Sequence, residues 1–514
     1  MGGNTTPIDV SRVKDAADAA EKITGARDVQ NPQVRLMIST IEAFLRAKRR
    51  ICYGGTAINN VLPPDARFYD AETELPDYDF LSPAAFEDAQ QLANFFKKTL
   101  GFESVEMRQG MHHGTYKVFV DYRGIADITQ TPERFFNQLT ETALDVDGIL
   151  YVSPEYLRMS MYLELSRPAG DVSRWGKVYN RLQLLNKHHP IGEPTDAKSM
   201  FATIVGKPTA TDKSIHAVVL PFIAENSLVS FGYNMMLFYE HWNDSYADAA
   251  RRIRAAEANY MLLSTTASKT AEKLAKALRA AGVKSAIVGH PGLGEIIPTH
   301  KEIRTANRSI FVYQTIACHS FYTVGKLNIA SADTMLSLYL AFLFTERKYY
   351  DHALILDMSR YLVARVHQLR TMARPPIPAI ALNCIGVQPS LIDFKKEYVK
   401  RVAEYKKLVE QKKQADAKIA RKTLKTTRKH GQLSPEAKSK LELFLTKEGK
   451  LLSPGTEGIL DELEKERAHK KRLVDRLYTN QSAIQKMAPA YIPKSPSLTK
   501  KKKTKKTVSE VNFA

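Results

Sequence analysis

Tyr53-Gly-Gly-Thr-Ala-Ile-Asn-Asn60, Leu75-Pro-Asp-Tyr-Asp-Phe-Leu81 and Ile125-Ala-Asp-Ile-Thr129 are the stretches on which the fold turns. The middle stretch predicts a strand over 77–81, where side chains alternate faces. Asp77 and Asp79 then share one face, and Tyr78 and Phe80 point into a core. Ile125 to Thr129 is a short apolar strand with one acid, Asp127. Three carboxylates on neighbouring strands can hold two hard cations about 4 Å apart. Asp127 is favoured as the third ligand. Asp121 is the alternative; it falls at a hairpin end, where a solvated acid is ordinary. Gly54-Gly55 follows the apolar strand Ile51-Cys52-Tyr53 and precedes a predicted helix over 56–62. Paired glycines allow close approach of a phosphate chain, and free N–H groups at a helix start bind anions. Thr56 could add a hydroxyl donor. Alone, either signal is weak: Gly-Gly is more often a turn, and Asp-x-Asp a solvated strand edge.

Working outward, residues 34–50 predict an amphipathic helix, and Pro63-Pro64 stops the helix after Gly55. A polar loop covers 65–76. Pro83 to Leu100 predicts a helix with Phe86, Ala89, Leu92, Ala93, Phe96 and Leu100 on one stripe. Thr115–Asp121 and Ile125–Thr129 predict a hairpin turning near Arg123-Gly124. Two helices follow, over 154–165 and 175–185. This order is an α+β layout. On the second of these helices Lys177 and Arg181 stand four apart, hence on one face. They could hold a triphosphate opposite the cations, or form a solvated basic face. Arg158 is a further candidate of the same kind.

The chain also resembles itself. Pro76-Asp-Tyr-Asp-Phe-Leu-Ser-Pro83 aligns with Ala258-Asn-Tyr-Met-Leu-Leu-Ser-Thr265, each followed by a helix and a glycine. Lys117–Val120 is matched to Ser309–Val312, and Ser160–Leu163 to Ser337–Leu340. In the second copy Asn259 replaces Asp77, Met261 replaces Asp79, and His319 stands roughly where Asp127 would be. That copy could not hold two Mg²⁺ ions.

The formal net charge is +20. Half of it lies in 395–430, with fourteen Lys and Arg against four Asp and Glu. Such an excess suits polyanionic partners and argues against a small-molecule acceptor. Phe394, Tyr398, Val402, Tyr405 and Val409 predict one packed helical stripe there. The lysine block at 500–506 predicts a disordered tail. The tail either touches nucleic acid or only solubilises. The three cysteines, Cys52, Cys318 and Cys384, are far apart in sequence, which predicts free thiols and a reducing compartment. The polar start, Met1 to Lys22, predicts a disordered N-terminus, although Met1-Gly2-Gly3-Asn4-Thr5-Thr6 also fits the loose acylation pattern. No apolar run is long enough to span a bilayer, and no membrane partner is expected. Gly289-His-Pro-Gly292-Leu-Gly294 reads as a turn and His112-His113 as a loop pair. Neither a Walker A lysine nor a Gly-x-Ser-x-Gly motif is present.

The three quoted stretches, with the helix Arg174-Trp-Gly-Lys-Val-Tyr-Asn-Arg-Leu-Gln-Leu-Leu185, resemble the polymerase-β-like nucleotidyltransferases. More narrowly, they resemble the poly(A) polymerase catalytic subunits of the nucleocytoplasmic large DNA viruses. The resemblance covers about 34–370. The gap from Gly55 to Asp77 is longer than is usual in the wider superfamily, and the 65–76 loop accounts for it. The resemblance implies an N-terminal extension over 1–33, a catalytic nucleotidyltransferase domain with following helices over 34–190, and a degenerate second nucleotidyltransferase-like domain over 200–375. A basic helical region over 385–490 and a Lys-rich tail over 491–514 complete the division. It further implies template-independent addition of AMP from ATP to mRNA 3′ ends, with two Mg²⁺ or Mn²⁺ ions. Asp77, Asp79 and Asp127 would be the catalytic and metal residues. Gly54, Gly55, Thr56, Lys177, Arg181 and Arg158 would bind the nucleotide. RNA and ATP are the expected partners. The large basic C-terminal region suggests a homodimer, and the poxvirus type implies a viral processivity or capping partner. The implied setting is the cytoplasm of an infected cell, at the viral factory, with packaging in the virion as a further expectation. The alternative readings are a non-catalytic RNA-binding scaffold and a nucleotidyltransferase acting on another RNA.

Overall fold

The structure, a computed structural model, describes residues 10–110, 114–293, 296–390 and, beyond these, 392, 393, 395–397, 399, 400 and 403. The stripe expected over 394–409, the lysine block, the Met1–Thr6 pattern, the His112-His113 pair and Gly294 lie outside the described residues.

The first half opens with helices α1 (Val10–Gln30) and α2 (Pro32–Lys48), strand β1 (Ile51–Tyr53) and helix α3 (Gly54–Val61). Then come β2 (Tyr78–Ser82), α4 (Ala85–Lys98), β3 (Val105–Gln109), β4 (Thr115–Val120) and β5 (Arg123–Gln130). It closes with α5 (Glu133–Glu141), β6 (Leu144–Val146), β7 (Ile149–Tyr151), α6 (Pro154–Leu165) and α7 (Trp175–His188). The start expected to be disordered is helical from Val10, although none of its side chains is buried. Local chemistry explains several boundaries. Asn31 caps α2 by accepting from the Gln33 amide, with Pro32 at the first helical position. Asp121 and Tyr122 both take positive φ, 48° and 63°, so the hairpin turns there rather than at Arg123-Gly124. Strand β3 has no strong alternation and escaped the sequence reading.

The second half runs through α8 (Ala197–Val205), α9 (Ala210–Glu225), β8 (Val229–Ser230), α10 (Met236–Glu240), α11 (Tyr246–Arg254), β9 (Tyr260–Ser264) and α12 (Ala267–Ala280). It continues with β10 (Ala286–His290), β11 (His300–Arg304), β12 (Ser309–Gln314), β13 (His319–Val324), β14 (Leu327–Ala330), α13 (Ala332–Phe342), α14 (His352–Thr371) and β15 (Asn383–Ile385). Gly289 and His290, read as part of a turn, lie in β10.

The fold is α+β, built on two mixed sheets. Their strand orders are β3-β4-β5-β2-β1-β7-β6 and β10-β11-β12-β9-β8-β14-β13-β15. Apart from the added β15, the second order repeats the first. The register agrees as well: Ile51 faces Leu81 in one sheet and Val229 faces Leu263 in the other. Even side-chain bonds recur. Gln130 accepts from the Ala85 amide at 2.9 Å, and Gln314 accepts from the Ala267 amide at 3.0 Å. Ser82 and Ser264 each accept from the amide two residues on.

This register corrects parts of the sequence alignment. Ser309–Val312 belongs to β12, which pairs parallel with β9 as β5 pairs with β2. Its counterpart is therefore β5, not Lys117–Val120. Asp127 corresponds to Phe311, and His319 lies on the counterpart of β6. The N-caps Ser153 and Ser331 align α6 with α13 one residue away from the Ser160–Ser337 match. In the second sheet Met261, Phe311 and Tyr233 fill the positions of Asp79, Asp127 and Gly55. Met261 and Phe311 are each 5 % exposed, so an apolar cluster stands where the first sheet carries acids.

Apolar residues of both halves join in one core. Tyr156 meets Phe344 edge-on at 5.6 Å, and the Ser320 amide donates to the Ser166 carbonyl. Cys318 and Cys384 form a disulfide, against the expectation of free thiols. Pairing of β13 with β15 brings together cysteines 66 residues apart, which linear spacing could not reveal. Cys52 is free and buried.

Candidate active site

β2 begins at Tyr78, so Asp77 enters from the preceding loop and Asp79 lies on the strand. Tyr78 and Phe80 are buried on the opposite face, as alternation requires. β5 runs parallel to β2 with Asp127 directly beside Asp79. Asp121 is exposed in the hairpin turn, at the far end of β5 from Asp127. The structure therefore brings together Asp77, Asp79 and Asp127, and leaves Asp121 out.

Gly54 opens α3 directly after β1. Its φ is +76°, and a Cβ there would stand 2.5 Å from Asp79 Oδ2. The glycine is needed both for the left-handed conformation and for the closeness of the carboxylate. A Cβ at Gly55 would lie 2.6 Å from the Tyr69 hydroxyl and 3.0 Å from Arg181 Nη1. Arg181, on α7, thus faces the start of α3. Its guanidinium stacks over Phe68 at 4.3 Å and donates to the Tyr69 hydroxyl at 2.9 Å. The 65–76 loop supplies both rings, and Asn59 fixes the loop by accepting from the Phe68 and Tyr69 amides at 2.9 Å each. Lys177 is exposed one turn before Arg181.

Two expected ligand contacts are placed differently. The Thr56 hydroxyl donates to the Asp77 carbonyl at 2.7 Å and accepts from the Asp77 amide at 3.2 Å. It anchors the acid's backbone and is not free for a phosphate. Arg158 is fully buried. It donates to Asn186 at 2.7 Å and to the His189 carbonyl, tying α6 to the end of α7. A guanidinium so enclosed is a joint between helices and does not line the site.

Four contributors were missed. Lys117 on β4 pairs with Asp127, its direct neighbour in register. Arg174, just before α7, exerts a favourable charge on Asp79. Phe68 and Tyr69 sit in a stretch that read only as a polar loop. Lys117 was within reach of sequence reasoning, because an antiparallel hairpin places it opposite Asp127. The others depend on tertiary approach.

Burial, then the charges of Asp77 and Asp127, push the Asp79 carboxyl up to about 7, against the pull of Lys117 and Arg174. Burial and the charge of Asp127 also raise Asp77, opposed by Lys117. Among the described residues no three His, Cys, Asp or Glu stand in the arrangement of a formed metal centre. The carboxylates nonetheless suit hard divalent cations: they are oxygen donors, crowded and partly buried, and their like charges require a counter-cation. Lys117 meets part of that need at Asp127.

The sign of the stability effect follows. A carboxyl with a folded pKa above its unfolded value of about 3.9 keeps its proton in the fold where the unfolded chain has lost it. Its contribution is full below about pH 4 and is lost as pH rises towards 7. Asp79→Asn is therefore expected to raise the Tm of the metal-free protein by several degrees at pH 8 and by less at pH 5. Melting curves of both proteins at the two pH values check this. An equal shift at both would refute the assignment of the raised carboxyl.

Parts of this chain resemble known proteins. The family model described as "Poly(A) polymerase catalytic subunit" matches residues 39–171, the segment holding the three acids and both glycines. A protein of Acanthamoeba polyphaga mimivirus named as a poly(A) polymerase catalytic subunit is 30% identical over 213 residues, covering 40% of this chain and 35% of the relative. One so named from African swine fever virus (strain Badajoz 1971 Vero-adapted) is 30% identical over 175 residues, covering 33% of this chain and 36% of the relative. The matched segment thus spans about a third of the length of these relatives. The crystal structure of the Megavirus polyadenylate synthase superposes with a TM-score of 0.65 at 20% identity, covering 79% of this chain and 85% of that one. At that identity the likeness speaks for the fold. Residues 39–171, which contain the motifs at Tyr53–Asn60, Leu75–Leu81 and Ile125–Thr129, are thus similar to the poly(A) polymerase catalytic subunits, as those motifs indicated.

Proposed function

We propose that this chain is a template-independent polyadenylate polymerase that transfers AMP from ATP to the 3′ end of mRNA. The observation that carries the reading is the parallel pairing of Asp79 with Asp127 beside Gly54-Gly55 and Arg181. Asp77, Asp79 and Asp127 would hold two Mg²⁺ or Mn²⁺ ions. When bound, these would acidify the attacking 3′-hydroxyl and stabilise the leaving pyrophosphate. The new bond joins the RNA 3′-oxygen to the α-phosphorus of ATP. The bond broken is the one from that phosphorus to the bridging oxygen, and the hydroxyl proton passes to solvent. The amides at the start of α3 receive the phosphates. Arg181 adds charge from the opposite side, held by Phe68 and Tyr69, and Lys177 extends the basic face.

In this reading 34–190 is the catalytic domain and 200–375 a degenerate counterpart. The loss of all three acids from the second sheet, beside their retention in the first, favours an enzyme over a scaffold. The basic segment over 395–430 would hold RNA through salt-sensitive phosphate contacts. A homodimer, a viral processivity or capping partner, and a site of action in the infected-cell cytoplasm belong to the same proposal.

Incubation of the protein with labelled oligo(A), Mg²⁺ and each NTP in turn tests the reading. Extension with ATP is expected; no extension with any NTP would overturn it. Arg181→Ala is expected to raise the KM for ATP by about tenfold or more, with a smaller change in kcat. Arg181→Lys should restore little, because an ammonium neither stacks on Phe68 nor keeps the planar fork. Steady-state kinetics of the two variants check this, and a wild-type KM in Arg181→Ala would remove Arg181 from the nucleotide site.

A further inference from the structure

A cavity of about 290 Å³ lies between the two halves, walled by α6 and α7 on one side and α14 on the other. Its polar lining includes Tyr162, Tyr179, Asn186, Lys187, His367 and Arg370. Arg370 is the decisive member. Its side chain is 7 % exposed. Nη2 donates to both oxygens of buried Asp333, at 2.8 and 2.7 Å, and the guanidinium lies over the Tyr179 ring at 5.1 Å. Nη1 is buried and has no hydrogen-bond partner among the described residues. A buried guanidinium donor left unmade costs more than a neutral one, so this position calls for an acceptor. Asp333 offsets one positive charge, and Lys187 at the cavity edge adds another that is exposed and forms no ion pair among the described residues.

We infer that this cavity binds a phosphate group. A guanidinium with a free donor and a lysine around a hollow of this size suit an oxyanion. The volume, near the lower end of ligand pockets, leaves room for the ester that carries it. The site is separate from the one at Gly54-Gly55: α7 turns Arg181 towards α3, and Tyr179, Asn186 and Lys187 towards α14. Because Arg370 and Asp333 come from the second half while Tyr179 and Lys187 come from the first, an occupant would bridge the halves.

The phosphate is either a free oxyanion or part of an RNA strand. Calorimetric titration of the full chain with inorganic phosphate, at constant ionic strength against chloride, is the first arm. Binding of labelled oligo(A) is the second. The variants are Lys187→Glu, at an exposed position, and Arg370→Lys, which keeps the charge facing Asp333 but removes Nη1. Melting curves confirm that both are folded. Arg181→Ala is included so that phosphate bound near α3 can be subtracted. A tenfold or larger rise in the phosphate Kd in both variants, with oligo(A) binding unchanged, assigns the site to a free oxyanion. A comparable loss of oligo(A) affinity, with or without the phosphate effect, assigns it to an RNA phosphate. If neither titration differs from wild type in Lys187→Glu, the cavity binds no phosphate and the inference is overturned.

Discussion

Asp77→Ala and Asp79→Ala are each expected to reduce oligo(A) extension by at least about 10³-fold while leaving RNA affinity nearly intact. Both acids crowd against Asp127 on one face of the first sheet, and burial and mutual repulsion raise both carboxyls. Such an arrangement is costly for a fold unless cations are to be held there. The acids carry the wrong sign for RNA phosphates, so affinity for the primer should rest elsewhere. Single-turnover extension and filter binding on the same preparations separate the two effects. Near-normal extension by either variant would end the site assignment. Parallel loss of binding and extension would show that the acids act through the fold.

Gly54→Ala should cost about 10²-fold or more in extension. The φ of +76° strains any residue with a Cβ, and that atom would stand 2.5 Å from Asp79 Oδ2. Either Asp79 turns away or α3 shifts, and both displace the carboxylate from the helix start that faces it. The substitution lies at the junction of β1 and α3, so melting curves accompany the rates. A folded Gly54→Ala protein with wild-type extension would mean that the closeness of Asp79 to the helix start is incidental. Gly232 holds the corresponding place in the second half, where Tyr233 follows it and Met261 replaces the carboxylate. The glycine was kept there, but its φ is −62°, so neither the left-handed turn nor the chemistry was.

The sequence by itself determined what depends on local pattern. Alternation along 77–81 fixed which side chains share the acid face. Gly54-Gly55 after an apolar strand marked the turn into α3. The match of 76–83 to 258–265 revealed the repeat, because one strand and its following helix keep the same offset throughout. Asp127 was legible as a single acid on an apolar strand.

Only the tertiary structure decided the rest. The counterpart of Asp127 in the second half is Phe311, because sheet register and not linear distance determines which residue lies beside Met261. Thr56 looked like a phosphate donor but is consumed by the Asp77 backbone. Arg158 looked like a surface base but is sealed between α6 and α7. Whether a hydroxyl or a guanidinium is free depends on what packs against it. Tyr69 reaches Arg181 across 112 residues of sequence, and Cys318 reaches Cys384 across 66. Periodicity and spacing describe an element and its neighbours in the chain, whereas these contacts exist only once separate elements pack and close the distance.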